Sequence, residues 1–467
     1  MNNVSQPLEV VVLAAGQGTR MASRRPKVLH TLAGRTLLQH VLDTAGALEP
    51  ARIHVVVGHA ADAVRAAVVD EVNFVTQAEQ RGTGHAVAQA LPSVADDALV
   101  LVVYGDVPLV TASTLQACVG AAADGALALV TACPDDPGQL GRIVRDPNGA
   151  ITGIVEYRDA DEHERGIREI NSGIMAAPRA LLAPYLADLS ADNAQGEYYL
   201  TDTVAMAVRD DVPVAGLAAA DPGEVAGIND RIELAAAERR YQRKQVEALM
   251  MGGVTVADPA RLDVRGVVTS GRDCFVDVNV VFEGEVVLGD GVCIGPGCVV
   301  RDAVIGDNTV LEPHTLVDGA RVGSDCALGP FARLRPGTEL AQQVRIGNFV
   351  ETKKASLGPG SKANHLAYLG DASLGEACNV GAGTITCNYD GLGKHPTTIG
   401  DRVFVGSNAT LVAPLELDSD AYVAAGSTVT QHVGAGDLAV GRGRQRNIHG
   451  WVRPDRRKSA SQEPREG

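Results

Sequence analysis

The chain has 467 residues, 45% of them hydrophobic, and carries a formal net charge of −16 with a pI near 5.1. That length suits about three domains of ordinary size. The acidic balance leaves no basic field able to hold a polyphosphate backbone, which excludes nucleic acid as a partner. The opening MNNVSQPLEV lacks the basic and apolar regions of a secretory signal, and no stretch approaches the ~18 apolar residues of a membrane helix, so the expectation is a cytoplasmic protein without a membrane partner. Eight cysteines, scattered from Cys118 to Cys387 without CxxC or zinc spacing, read as small buried hydrophobes in a reducing compartment.

Apolar, β-branched-rich runs at residues 10–13, 53–57, 99–103 and 127–131 alternate with helical spacing at 37–48 and 84–91, predicting a parallel sheet covered by helices. Runs ending in LAAGQGTR and VYGDVP put polar turns at the carboxyl edge of that sheet, where open α/β sheets bind ligands. Gly16 and Gly18 would let backbone N–H groups approach an anion. Met21 stands where a dinucleotide fingerprint has its third glycine, and no GK[ST] follows, so a ligand-free strand-to-helix turn stays open.

Residues 230–251 (DRIELAAAERRYQRKQVEALMM) are strong helix formers stopped by Gly252-Gly253, an arm of roughly 30 Å. Beyond it aliphatic residues recur at every sixth position: Val322, Leu328, Leu334, Leu340, Ile346 and, after a slip, Leu357, Ala363, Leu369. The same spacing holds for Leu288, Ile294, Val300, for Ile305, Leu311, Val317, for Leu374, Val380, Thr386, and from Ile399 through Val405, Leu411, Leu417 and Val423 to Val429. Three such hexads close one coil of about eighteen residues, which predicts a parallel β-helix, with 387–398 (CNYDGLGKHPTT) as a projecting loop. The chain therefore divides into 1–229, a linker arm 230–253, a β-helix 254–441, and a basic tail 442–467 read as largely disordered.

The phrase LAAGQGTRMASRRPKVLHTLAGRTLLQH is similar to the opening motif of the sugar-nucleotidyltransferases, and the resemblance continues through QAEQRGTGHA, VYGDVPL, VEYRDA, EINSGI, QGEYYLTD and GINDR. With KANHLAYLGD and NVGAGTITCNYDG in the repeats, it extends to the bifunctional family that joins an N-acetylglucosamine-1-phosphate uridyltransferase to a glucosamine-1-phosphate N-acetyltransferase, and covers nearly the whole chain up to the tail. It implies a Rossmann-like α/β nucleotidyltransferase domain followed by a left-handed β-helix, acting on UTP, N-acetylglucosamine 1-phosphate, glucosamine 1-phosphate and acetyl-CoA. It implies that Arg20 and Lys27 face phosphates, that Leu13, Ala14, Ala15, Gly16, Gln77, Gly82 and Thr83 hold the nucleotide with Tyr104 and Gly105, and that Gly141, Glu156, Asn171 and Thr201 line the sugar pocket. Asp106 and Asn229 match the family's Mg²⁺ ligands, hard oxygens suited to that ion. From the residues alone, Asp106 as a turn former and Asn229 as a helix N-cap remain open. The residues before Gly141 read GQL, where relatives often place an aromatic.

In the repeats the resemblance implies His365 as general base, oriented by Glu351, with Arg335, Lys353, Tyr368 and Asn379 on the sugar phosphate. Ala382, Asn388, Tyr389, Lys394, Ser407, Ala425 and Arg442 would form the sugar-facing and acetyl-CoA portions, and the backbone N–H near Ser407 an oxyanion donor. Lys394 and Arg442 also read as solvated charges, with Arg444 and Arg446 able to replace Arg442. The family assembly is a homotrimer with acetyl-transfer sites between adjacent β-helices. Two competing readings are a single-activity nucleotidyltransferase with an oligomerising β-helix, and a zinc-dependent carbonic anhydrase. The first predicts no catalytic motif in the repeats, and the second needs three convergent histidines, for which His314, His365, His395 and His432 are not spaced.

Overall fold

A computed structural model describes residues 6–454, so the last thirteen residues of the basic tail, and the disorder expected of them, lie outside the described residues. The chain divides into two compact units, Met1–Glu247 and Ala248–Gly467, the boundary falling inside the helix Arg231–Met251.

In the first unit, strands β1 (Leu8–Ala14), β2 (Arg52–Val57), β3 (Asn73–Thr76), β4 (Leu99–Tyr104), β5 (Leu127–Ala132), β6 (Arg142–Arg145), β7 (Ile151–Val155), β8 (Ile170–Pro178) and β9 (Val214–Ala218) form one sheet. Its order is β9-β5-β8-β4-β1-β2-β3, with the β6/β7 hairpin attached to β8. β4, β1, β2 and β3 are mutually parallel, as are β5 and β9, but β8 runs antiparallel to both β4 and β5. The four strands expected from the apolar runs, β1, β2, β4 and β5, do point the same way, and β8, which no run announced, makes the sheet mixed. A parallel return needs a crossover of a dozen or so residues on one face. Between β5 and β8 the chain instead makes a hairpin and the one-turn helix Glu162–Arg165, and comes back antiparallel.

β1, β4 and β5 are near-continuous apolar runs because both faces of the sheet are covered. Val10, Val12, Leu101 and Val103 pack with Leu38, Val41 and Leu115, while Val11, Val100 and Val102 pack with Val87, Leu182 and Val204. Leu101 is fully buried, so Leu101→Ala would cost about 2–5 kcal/mol in lost transfer energy and cavity. The parallel register aligns Leu13 with Tyr104, Ala14 with Val57 and Val57 with Thr76, which gathers the following loops at one edge.

The long helix starts at a cap made by Asp230, whose Oδ1 accepts the N–H groups of Ile232 and Glu233 at 2.8 Å each; Glu233 reaches back to the Asn229 N–H at 2.5 Å. Asp230, not Asn229, therefore caps the helix, and the Asn229 side chain is left for another partner.

The second unit is a parallel β-helix of the left-handed class. One side is an eleven-stranded sheet; the other two are joined because Leu262–Ser270, Val280–Leu288 and Val299–Ile305 bend round a corner and pair along their length. Leu311, Leu328, Ile346, Ala363, Val380, Val405 and Val423 stack directly on one another, a step of 17 or 18 residues except the 25 from Val380 to Val405. These hexad residues are buried. Thr352 takes the next inward place after Ile346, between Leu334 and Leu369, its hydroxyl 3.0 Å from that of Thr338, and the slip is the shorter side from Thr352 to Leu357.

One corner is built from His314, Phe331, Phe349 and Leu366, all with left-handed φ between 45° and 60°. Bulky residues avoid that region; here the rings of His314 and Phe331, and of Phe331 and Phe349, stack at 5.1 and 5.4 Å. Cys274, Cys298, Cys326 and Cys378 are buried, their thiols facing the carbonyls of Gly289, Glu312, Ala341 and Gly400 at 2.9–3.2 Å. Cys133 is exposed and Cys293 and Cys387 are half-buried, so the reading of every cysteine as buried holds only in part. Among the described residues, no helix is long and apolar enough to cross a membrane.

Candidate active sites

A cavity of about 320 Å³ opens at the carboxyl edge of the sheet. Leu13 and Ala14 at the end of β1 and Ala15 and Gly16 just after it line the cavity, with Gln77, Gly82 and Thr83 after β3, Tyr104 at the end of β4, Asp106 just beyond it, and Lys27 beside them. Gly105 lies behind, its N–H donating to the Leu13 carbonyl at 3.0 Å. Val28, Gln80, Ala86 and Glu197 complete the lining and were not named from the sequence, although Gln80 and Glu197 stand in QAEQRGTGHA and QGEYYLTD. Gln77 is buried and donates Nε2–H to the Gly82 carbonyl at 3.1 Å. Gly82 has φ +108°, and a Cβ there would fall 2.5 Å from the Tyr198 carbonyl oxygen, so only glycine fits before the helix Thr83–Ala90. Burial, and then the nearby Glu156 and Asp106 carboxylates, push the Tyr104 hydroxyl far above its usual range, which keeps it neutral.

The Lys27 ammonium is bonded to the Asp106 carboxylate and lies 3.1 Å from Asn229 Oδ1. Gly18, at φ +63°, makes room, since a Cβ there would sit 2.5 Å from Lys27 Cβ. The Ile228 N–H donates to the Asp106 carbonyl at 2.9 Å, tying the Asn229 segment to the β4 loop. Two hard oxygen donors from distant segments thus converge on one cationic point. That donor set fits an Mg²⁺-type ion, which takes one or two protein oxygens and leaves its other positions to water and phosphate.

A second cavity of about 710 Å³ is lined by Arg20, Leu140, Glu156, Tyr157 and Asn229 among others. Thr201 donates to Glu156 Oε1 at 3.1 Å, the Asn171 N–H donates to the Gly141 carbonyl at 2.9 Å, and a Cβ on Gly141 would come 3.3 Å from both Glu156 oxygens. The four expected sugar-side residues are therefore in one place. Burial raises the Glu156 carboxyl above its usual range, with Asp202 and Asp159 adding and the Thr201 hydroxyl opposing. Where relatives often carry an aromatic, Leu140 lines this cavity. Beneath it Arg142, 2% exposed, donates to the carbonyls of Pro137, Gly138, Leu140 and Arg165 and faces the Tyr157 ring at 5.4 Å. Arg142 was not singled out by sequence reasoning. Arg20 rides on the single turn Thr19–Met21, whose Met21 carbonyl accepts from Arg231 Nε at 3.2 Å.

On the β-helix, His365, Ala382, Ser407 and Ala425 each stand two residues after the stacked Ala363, Val380, Val405 and Val423. They form one column at strand spacing, about 4.8 Å per step. Arg442 closes its end, donating to the Ala425 carbonyl at 2.7 Å. Round the corner of Phe349 and Leu366, Glu351 pairs with Tyr368 on the next coil, and the Arg335 N–H donates to the Thr352 carbonyl, bringing Arg335 level with Lys353. Arg335 holds Glu351 at 2.8 Å, and Arg333 lies 3.7 Å from it. The Lys394 ammonium beside Lys353 lowers the latter's pKa, Arg335 adding to this and Asp371 opposing. A bound dianion would relieve such a cluster of like charges. Asn388 bonds to Asp371, while Asn379 lies between Lys362 and Phe404 on the eleven-stranded side. The projecting loop is stapled by the Tyr389–Lys394 bridge and by Asp390, which accepts from the Leu392 and Gly393 N–H groups and from His395 at 2.7–2.8 Å.

The expected partner of His365 was Glu351. Instead, His365 Nδ1 lies 3.0 Å from Asn348 Oδ1, and Glu351 is engaged by the two arginines. Asn348 was missed, though the 17-residue step from Ile346 to Ala363 carries it onto His365.

Residues 10–196 match the family model described as MobA-like NTP transferase domain, and 264–362 that described as GMPPB C-terminal domain. The bifunctional protein GlmU of Marinobacter nauticus is 55% identical over 449 residues, covering 96% of this chain and 99% of the relative. That of Alkalilimnicola ehrlichii is 56% identical over 455 residues (97% and 98%), and that of Pseudomonas putida strain GB-1 is 53% identical over 454 (97% and 100%). With both units covered end to end at this identity, the chain belongs to the GlmU family of bifunctional proteins.

Proposed function

We propose that the chain makes UDP-N-acetylglucosamine in two steps, moving acetyl from acetyl-CoA to glucosamine 1-phosphate on the β-helix and then uridylyl from UTP to N-acetylglucosamine 1-phosphate in the α/β unit. The observation that carries this reading is that each unit holds its own constellation: Lys27 with Asp106 and Asn229 in one, the His365 column beside the Arg335, Lys353 and Lys394 cations in the other.

In the uridylyl step a phosphate oxygen of the sugar phosphate bonds to the α-phosphorus of UTP as the bond to pyrophosphate breaks. Asp106 and Asn229 would hold Mg²⁺, which would supply charge neutralisation at the phosphates. Lys27 and Arg20 spread the developing negative charge, and Gly141, Glu156, Asn171 and Thr201 fix the sugar, so positioning and electrostatics do the work. In the acetyl step the amine attacks the thioester carbon, His365 takes the amine proton, and the Ser407 N–H donates to the oxyanion. Collapse then releases the CoA thiolate, which is protonated. The phosphate dianion is held by Arg335 and Lys353 with Tyr368 and Asn379, and acetyl-CoA lies along Ala382, Ser407, Ala425 and Arg442, with Asn388, Tyr389 and Lys394 from the loop side.

The protein works in the cytoplasm as a homotrimer whose acetyl-transfer sites are each fed by more than one chain. Beside His365 the corner residues Phe331, Phe349 and Leu366 are 48%, 57% and 61% exposed, an apolar edge suited to a second copy. The test supplies glucosamine 1-phosphate, acetyl-CoA, UTP and Mg²⁺ together and follows free thiol and pyrophosphate. Release of both is expected; release of pyrophosphate alone, from pre-acetylated substrate, would leave a single-activity nucleotidyltransferase. A monomer verified by sedimentation that still released thiol at the parent rate would refute the shared site.

A further inference from the structure

The acetyl-transfer reading leaves open what sets the tautomer of His365. A histidine acts as a base only through a ring nitrogen that carries no proton, and the hydrogen bond at the other nitrogen decides which one that is. We propose that Asn348, through its amide oxygen, is the positioning residue for His365: it accepts the Nδ1 proton and so leaves Nε2 as the nitrogen that takes the proton of the attacking amine. The inference rests on the reading of His365 as the base.

Three observations carry it. The first is the contact itself, 3.0 Å from His365 Nδ1 to Asn348 Oδ1. The second is its rigidity. Strands Arg345–Asn348 and Lys362–His365 pair in parallel with Asn348 opposite His365, and the Leu366 N–H donates to the Asn348 carbonyl at 3.0 Å. A Cβ on Gly347 would collide with the Asn364 carbonyl, so this pair of coils approaches closely just where the two side chains meet. The third is the state of the alternative partner. Glu351 lies across the Phe349–Leu366 corner and is engaged by Arg335 and Arg333. The coil on the other side of His365 presents Ala382, which has no hydrogen-bonding side chain.

The chemistry favours an amide here. A carboxylate at Nδ1 would hold the ring as imidazolium to higher pH, because an opposite charge within a few ångströms favours the charged form. A neutral amide oxygen fixes the ring and its tautomer without adding that charge.

The experiment uses the full chain with Asn348→Ala, Asn348→Asp and His365→Ala, assayed for thiol release at varied glucosamine 1-phosphate, acetyl-CoA and pH, with circular dichroism melting as the check on folding. Asn348→Ala is expected to lower kcat about 10–100-fold, by analogy with the loss when a partner orienting a metal-bound imidazole is removed, with both KM values within about twofold of the parent. Asn348→Asp keeps the geometry and is expected to retain most of the optimal rate while the acid limb of kcat/KM moves to higher pH. If Asn348→Ala raises only the KM for glucosamine 1-phosphate, Asn348 is a substrate contact and the inference fails. It fails also if the acid limb of the near-isosteric Asn348→Asp stays in place, whatever happens to the alanine variant. A His365→Ala variant that still releases thiol overturns the base itself; a dead one beside unchanged Asn348 variants overturns only the positioning role.

Discussion

The two units assemble their candidate sites in opposite ways. In the α/β unit the parts come from far apart: Lys27 and Asn229 are 202 residues distant, and the glycines at 18 and 82 take left-handed φ so that backbone and cation can approach. In the β-helix they come from neighbouring turns of one repeat: Asn348 and His365 are 17 residues apart, and Ala382, Ser407 and Ala425 follow by stacking. One site is therefore sensitive to backbone geometry and long-range assembly. The other is a row of side chains on a ruled surface, sensitive to truncation at a single position.

The sharpest way to break this contrast is in the charged centre of the first site. Lys27→Ala is expected to lower uridylyl transfer by about 10²–10³, the loss usual for one electrostatic contact to developing charge, with thiol release unchanged. Asp106→Ala should raise the Mg²⁺ concentration needed for half-maximal pyrophosphate release; overlapping titration curves for variant and parent would show that the ion is held elsewhere. Next comes the backbone. Gly82→Ala forces an L-residue into φ +108° against the Tyr198 carbonyl and is expected to cost about 1–3 kcal/mol, seen as an earlier melt of the α/β unit and a higher KM for UTP.

A smaller effect depends on pH. Burial raises the Glu156 carboxyl in the folded protein, so the folded state favours the proton, and the stability this contributes is full below the unfolded pKa of about 4.3 and lost as pH rises through the folded value. Glu156→Gln, which cannot ionise, should therefore melt above the parent near neutral pH, with the difference fading as pH falls below the ordinary carboxylate range, while binding of the sugar phosphate weakens. Parallel melting curves across that window would show that burial of this carboxylate is not a cost. The smallest change expected is a several-fold higher KM for acetyl-CoA in Arg442→Ala, because Arg444 and Arg446 stand close behind in sequence; a full loss of thiol release would instead make Arg442 indispensable.

The β-helix was legible because its constraint is local: one inward aliphatic residue per side, repeated at six. It faltered where polarity turned inward, at Thr352, because the Thr338 hydroxyl satisfies that residue from the coil before. Asn348 escaped for another reason, since it sits outside the hexad rule and gains its meaning only from the coil repeat that lays it on His365. In the α/β unit the four apolar runs became β1, β2, β4 and β5, which point the same way as expected, whereas β8, with the polar Asn171 and Ser172 near its start, gave no such run and is antiparallel to both its neighbours. Arg142 was hidden because a buried guanidinium satisfied by backbone carbonyls leaves no charge partner to search for. Asn229 read equally as a cap or a ligand until Asp230 was seen to cap the helix.

The one long step in the coil ladder, from Val380 to Val405, has a consequence for how such a protein can change. Each coil hydrogen-bonds only to the coils on either side, so the extra residues leave through a corner at Asp371, where the Thr397 N–H returns to the Asp371 carbonyl at 3.0 Å, and every later row keeps its index. Length can be added or removed there without re-threading the prism. The loop is thus a place where new substrate contacts could be tried out by insertion, while the scaffold that aims the rest of the site goes on unaltered.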